Sequence, residues 1–122
     1  MTNAETEDLA RIDDEACRKF IAGVELVGRR WSASILLAAA RGAKRYSEYY
    51  RMIDGISQRL LAQRLKELTE YDLLRREVIP STPVQVYYTL SDRGRDLLLS
   101  LVPLIRWGQR WDPDPGKAPT SR

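Results

Sequence analysis

The stretch Asp54-Gly55-Ile56-Ser57-Gln58-Arg59-Leu60-Leu61-Ala62-Gln63-Arg64-Leu65-Lys66-Glu67-Leu68 decides how the rest of the chain is read. Asp54-Gly55 is a turn signal, Ser57 is a side chain that caps helices by accepting from a free backbone N–H, and nothing from Ser57 to Glu70 breaks a helix. At about 100° per residue, Leu60, Leu61, Leu65 and Leu68 share one arc, while Arg59, Ala62, Gln63 and Lys66 lie opposite. This is a basic amphipathic helix entered through a turn. Arg64 falls inside the apolar arc, so its charge must snorkel or be paired.

Just upstream, Ser47 is placed to cap a short helix in which Tyr46, Tyr49, Tyr50 and Ile53 recur at helical spacing. Two short helices joined by a tight glycine turn form a helix-turn-helix arrangement. Just downstream, after Tyr71-Asp72, the period changes to two. Leu73 to Ile79 reads as one strand and Val84 to Leu90 as another, with Val86, Tyr88 and Leu90 on one face and Pro80-Ser81-Thr82-Pro83 as a rigid tip. This hairpin is the wing of a winged helix.

Further out, a helix capped by Asp13 or Asp14 runs to about Val27, with Cys17, Phe20, Ile21, Val24 and Val27 on one stripe. A second, strongly apolar helix passes through Trp31, Ile35, Leu36, Leu37 and Ala38 to Ala40 and stops at Gly42. At the other end Ser91 caps a last helix whose Leu97, Leu98, Leu99, Leu101, Val102, Leu104, Ile105, Trp107 and Trp111 cover nearly its whole circumference. Such a helix must be buried on two sides, and a small domain covers only one of them, so a second subunit is the natural cover for the other. Pro103 should kink or divide it. The expected fold is mainly α with a small β-hairpin wing. Residues 1–12 read as a flexible acidic arm, 13–111 as the domain, and 112–122, with Pro113, Pro115, Gly116 and Pro119, as a disordered tail.

The 122 residues carry a net charge of +3, unevenly placed. Residues 1–15 hold six acids and one base, a net −5, which leaves +8 on the remainder. That remainder suits a polyanion such as double-stranded DNA. A single cysteine cannot form an internal disulfide, and no apolar run approaches the length of a membrane span or signal peptide, so a cytoplasmic location without membrane contact is expected. With no histidine, the commonest general base, the Cys/His dyad and most zinc sites are excluded. No catalytic group, metal or cofactor is expected, and an enzyme is disfavoured.

The order of elements and the local strings together resemble the HxlR-type family of bacterial winged-helix transcriptional regulators over roughly Cys17 to Gly108. The strings are Val27-Gly28-Arg29-Arg30-Trp31, Lys44-Arg45-Tyr46-Ser47-Glu48-Tyr49, Gly55-Ile56-Ser57-Gln58-Arg59-Leu60-Leu61, Arg64-Leu65-Lys66-Glu67-Leu68, Val86-Tyr87-Tyr88-Thr89-Leu90-Ser91 with Gly94, and Trp107-Gly108. Three departures stand out: Arg29 in place of a second glycine, Thr69 where an acid is common, and Thr82 in the wing tip. The resemblance implies a homodimer paired through the first and last helices, for which Phe20, Ile21, Leu98, Leu101 and Ile105 are the candidate contacts. It also implies a cysteine near the start of the first helix that senses oxidants, quinones or other electrophiles.

For DNA, Ser57, Gln58, Arg59 and Gln63 are the candidates for base edges, since arginine matches guanine and glutamine matches adenine through paired hydrogen bonds. Lys44, Arg51 and Lys66 are candidates for phosphates, and Arg75, Arg76 and Gln85 for backbone contact from the wing. Solvated surface charge is the plain alternative for all of them. Cys17 is the redox candidate: a helix N-terminus with Arg18 and Lys19 favours thiolate, while Asp13, Asp14 and Glu15 oppose it, and an inert place in a core or interface fits equally well. Any disulfide would have to be intermolecular. Trp31, Tyr46, Tyr49 and Tyr50 are candidates for a ligand pocket, against the alternative that they are core. The expected function is sequence-specific regulation of transcription, more readily repression than activation. The alternatives are a winged-helix protein-interaction module and a regulator answering to a non-covalent ligand.

Overall fold

A computed structural model of the chain describes residues 3–111 and Asp114. Seven helices and one hairpin follow in order: α1 Asn3–Ala10, α2 Asp14–Gly28, α3 Ser32–Ala40, α4 Tyr46–Met52, α5 Gln58–Glu70, β1 Leu74–Ile79, β2 Gln85–Leu90, α6 Asp92–Ser100 and α7 Val102–Trp111. Helix α3 sits at the centre and packs against α2, α4, α5, α6 and β2. Its Ile35 and Leu36 meet Tyr49 of α4, Ile53 and Ile56 around the turn, Leu61, Leu65 and Leu68 of α5, and Leu73 and Leu74, and all of these are buried.

Local chemistry accounts for the helix starts. Asp13 Oδ1 accepts from the Ala16 N–H at 2.8 Å, Ser57 Oγ from Leu60 N–H at 3.1 Å, and Ser91 Oγ from Gly94 N–H at 2.9 Å, each satisfying an N-terminal donor that the helix itself leaves unpaired. Helix α4 begins differently from the expectation: Ser47 lies inside it, and the carboxylate of Glu48 reaches back to accept from the N–H groups of Lys44 and Arg45, both at 2.9 Å. Those two hydrogen bonds hold the Glu48 carboxyl below its ordinary pKa.

One further expectation is revised and another holds. Residues 3–10 of the acidic arm form a helix, supported locally by ion pairs from Arg11 to Glu7 and Asp8, which need no apolar stripe and so leave no periodic signal. The last helix is divided as Pro103 demands, with the break at Leu101. Its two pieces are half-buried and exposed, respectively: α7 contributes no buried residue. The 112–122 tail lies outside the described residues except for Asp114.

The strands pair antiparallel in the register Leu74–Leu90, Arg76–Tyr88 and Val78–Val86. The hairpin is anchored at its base. Tyr88 N–H donates to the Lys44 carbonyl at 2.7 Å, and the buried Tyr49 hydroxyl donates to the Tyr88 carbonyl at 2.7 Å. Burial raises the Tyr49 pKa, so that hydroxyl keeps its proton and its role as donor.

Candidate nucleic-acid interface

Helix α5 is docked by its apolar arc and open along the opposite one. Leu61, Leu65 and Leu68 are buried, whereas Gln58, Arg59, Ala62, Gln63 and Lys66 are exposed. The start of α5 is tied to the preceding helix by the Tyr46 hydroxyl, which donates to the Gln58 carbonyl at 2.8 Å. Ser57 has its hydroxyl oxygen engaged as the acceptor of the cap. Gln63 Nε2 makes only a long contact, 3.3 Å, to Glu67 Oε1. Lys44 and Arg51, at the two ends of α4, are exposed as well.

The register separates the wing candidates. Side chains alternate across a strand, so Arg75, opposite Thr89, shares a face with Tyr87 and Gln85, while Arg76 lies with Tyr88 on the other. Tyr87 donates its hydroxyl to Gln85 Oε1 at 3.2 Å, and the Arg45 guanidinium stands 5.9 Å over the Tyr87 ring. Arg45 also bridges to Tyr87 through its backbone. Sequence reasoning missed Arg45, which joins the start of α4 to the wing; the adjacent Lys44-Arg45 pair at a helix start was its only signal.

Arg64 is paired. Its Nε donates to the Arg30 carbonyl at 3.1 Å and its Nη1 to Glu67 Oε2 at 3.1 Å, and only 14% of its side chain is exposed. It therefore faces the protein and not the open side of α5.

The four aromatic residues offered for a pocket, Trp31, Tyr46, Tyr49 and Tyr50, are put to different uses. Tyr49 is fully buried, Tyr46 is spent on α5, and Tyr50 is exposed. Trp31 alone borders a shallow groove of about 210 Å³, with Ser34, Leu37, Arg41 and Met52 among its neighbours. A larger groove, about 780 Å³, lies between α2 and α6.

On α2 the stripe of Cys17, Phe20, Ile21 and Val24 is exposed, with Phe20 at 65%, and Cys17 is a free thiol. Cys17 is thus not part of this chain's own core. Leu98 packs against the core and Leu101 is half-buried, while Ile105 is exposed on α7. Among the described residues no group of histidine, cysteine and carboxylate side chains could hold a metal, and no helix is long and apolar enough to cross a membrane.

A positioning helix, a glycine turn, a reading helix with one open polar side and an anchored hairpin define a winged helix-turn-helix protein, the class of transcriptional regulators that bind DNA. The HxlR-like helix-turn-helix family matches residues 26–115, and the chain belongs to that family. It is 37% identical over 95 residues to the HTH-type transcriptional regulator YodB of Bacillus subtilis, covering 78% of this chain and 85% of YodB. It is 37% identical over 97 residues to the HTH-type transcriptional regulator YvaP of the same organism, covering 80% and 90%. Among solved structures, the reduced form of YodB aligns with a TM-score of 0.68 at 34% identity, over 86% of this chain and 98% of that one. The reduced form of the redox regulator HypR aligns with a TM-score of 0.72 at 27% identity, over 78% and 94%.

Proposed function

We propose that this transcriptional regulator acts as a homodimeric repressor, placing two copies of α5 in successive major grooves of a near-palindromic operator and responding to oxidants or electrophiles through Cys17. The observation that carries the DNA reading is the open row Gln58, Arg59, Gln63 and Lys66 on a helix whose other side is locked into the core. In this reading Gln58, Arg59 and Gln63 meet base edges. Lys44, Arg45, Arg51 and Lys66 meet phosphates, and Arg75, Arg76 and Gln85 extend the backbone contacts from the wing. Half-site centres then lie about 34–36 Å, one helical turn, apart or a multiple of that.

A salt titration of duplex binding tests it. Affinity should fall steeply with salt, and Lys66→Ala should lower the slope of log affinity against log salt by about one. Arg59→Ala should instead cost about 1–3 kcal/mol at a single operator position and relax base preference there. A folded dimer that binds no duplex at low salt overturns the reading and favours a protein-interaction module.

The redox reading is supported by the exposed thiol of Cys17 and by relatives described as a redox regulator and as reduced and diamide-treated forms. Two thiols joined across the dimer would release two protons and pass two electrons to the oxidant, provided their Cα atoms come within about 7 Å. Cys17→Ser should bind the operator like the wild type but lose its response to diamide or quinones. An unchanged response excludes Cys17 as the sensor.

A further inference from the structure

Helices α2 and α3 are separated by only three residues, Arg29, Arg30 and Trp31, and each of them touches the helix-turn-helix. Arg29 Nη1 donates to Glu67 Oε2 at 2.9 Å. The Arg30 carbonyl accepts from Arg64 Nε at 3.1 Å, and Glu67 also holds Arg64 Nη1 at 3.1 Å. Trp31 stands in the left-handed region at φ +80, an arrangement that costs a bulky residue about 1 kcal/mol or more and persists only where surrounding contacts hold it. Its ring lies against the glycine turn: a Cβ on Gly55 would be 3.6 Å from Trp31 Cη2. The Arg30 guanidinium covers the same ring at 5.0 Å from its centre. The junction therefore grips α5 twice, at the turn before its first residue and at Arg64 and Glu67 in its second half.

We infer that Arg64 is a positioning residue for DNA reading: by tying α5 to the α2–α3 junction it sets the angle between α2 and α5. This rests on the dimeric, DNA-reading function proposed above, in which α2 pairs the protomers and the angle sets the separation of the two reading helices. Exposed ion pairs contribute little, but this one is shielded, with only 14% of the Arg64 and 21% of the Glu67 side chain open to solvent. The guanidinium fork satisfies a main-chain carbonyl and a carboxylate at once, a geometry that lysine cannot reproduce. A three-residue junction has few torsions to absorb a movement of α2. With Arg64 in place, such a movement is passed to α5. Without it, α5 is tied to the junction by the Trp31 contact at its beginning and by the half-exposed Arg29 on Glu67, a single ion pair that leaves the Arg30 carbonyl unlinked to α5.

The test uses the full-length protein and an operator selected by the wild type from random duplexes. Affinity is then measured across a series in which the half-sites are moved together or apart by one or two base pairs. The wild type should prefer one spacing sharply. Arg64→Gln and Arg64→Lys should lose about tenfold at that spacing and show a flattened preference across the series, with the salt slope and the base preference within each half-site unchanged. An equal loss at every spacing means a merely structural role and overturns the proposal, as does a wild-type profile in both variants. A wild type that binds no duplex overturns the DNA reading itself, and this proposal with it. Should Arg64→Gln fail to fold, Glu67→Gln keeps an acceptor and removes the charge. It should flatten the spacing preference less but in the same sense, and an unaltered profile there also overturns the proposal.

Discussion

Gly94→Ala is expected to destabilise the domain by at least about 3 kcal/mol, lowering Tm by about 10 °C or more or leaving the protein insoluble. The start of α6 is seated directly on the chain at Asp72 and Leu73. Ser91 N–H donates to the Leu73 carbonyl at 3.1 Å, Ser91 Oγ donates to the Asp72 carbonyl, and the same Oγ accepts from Gly94 N–H. A Cβ on Gly94 would lie 2.0 Å from the Leu73 carbonyl oxygen and 2.9 Å from its carbon. Both are backbone atoms, so no rotamer change relieves the clash and α6 must lift away. Lifting it breaks the hydrogen bonds from Ser91 to the Leu73 and Asp72 carbonyls, each worth about 1 kcal/mol, and opens the core beneath Leu97 and Leu98. A domain with about 5–15 kcal/mol of total stability has little room for that loss. Gly23→Ala is the control, because its Cβ would meet nothing within 4 Å and alanine favours the helix. Thermal unfolding of both variants checks the prediction; a Gly94→Ala protein as stable as the wild type would mean that α6 does not rest on Leu73.

What could be read from the sequence was the part governed by local period and local chemistry. The Ser57 and Ser91 caps, the leucines of α5 and the open row opposite them follow from spacing alone, and the structure has them where the spacing puts them. The position of Arg64 was legible only in part: Glu67 three residues on is a partner the spacing allows, but the other partner is a main-chain carbonyl 34 residues away, a contact that leaves no trace in side-chain pattern. Tyr46 and Tyr49 had the same helical spacing as pocket-lining residues would. Only tertiary structure shows that one hydroxyl is used on Gln58 and the other on Tyr88. At α4 the spacing pointed to Ser47 as the cap, whereas the structure uses Glu48, whose carboxylate satisfies two backbone donors where a serine satisfies one. Helix α1 escaped because charge pairing rather than burial supports it.

Placing a charge on the α2 stripe is expected to have the largest effect on DNA binding. Helix α2 runs for 15 residues without one buried residue, yet carries Phe20, Ile21 and Val24 in the open, and α7 exposes Leu104, Ile105, Trp107 and Trp111. Soluble monomers rarely leave two apolar helix faces bare, and a two-fold axis that brings the same faces of two copies together would cover both. Phe20→Asp then removes about 2–3 kcal/mol of apolar burial and adds a desolvated carboxylate, and the symmetry doubles each loss. The variant should remain folded by circular dichroism, because Phe20 is 65% exposed and lies outside the buried core of its own chain, but sediment as a monomer. Ile105→Asp, from the other helix, should do the same. A monomer can hold only one half-site at a time and loses the effective concentration that its partner supplied, so affinity for the full operator should fall by about 100-fold or more. Affinity for an isolated half-site should stay close to that of the wild type, since α5 and the wing are untouched. Light scattering together with binding to full and half operators separates the outcomes: a Phe20→Asp protein that stays dimeric would place the subunit contact elsewhere, and equal losses on both duplexes would show that α2 supports the reading helix directly rather than by pairing it with a second copy.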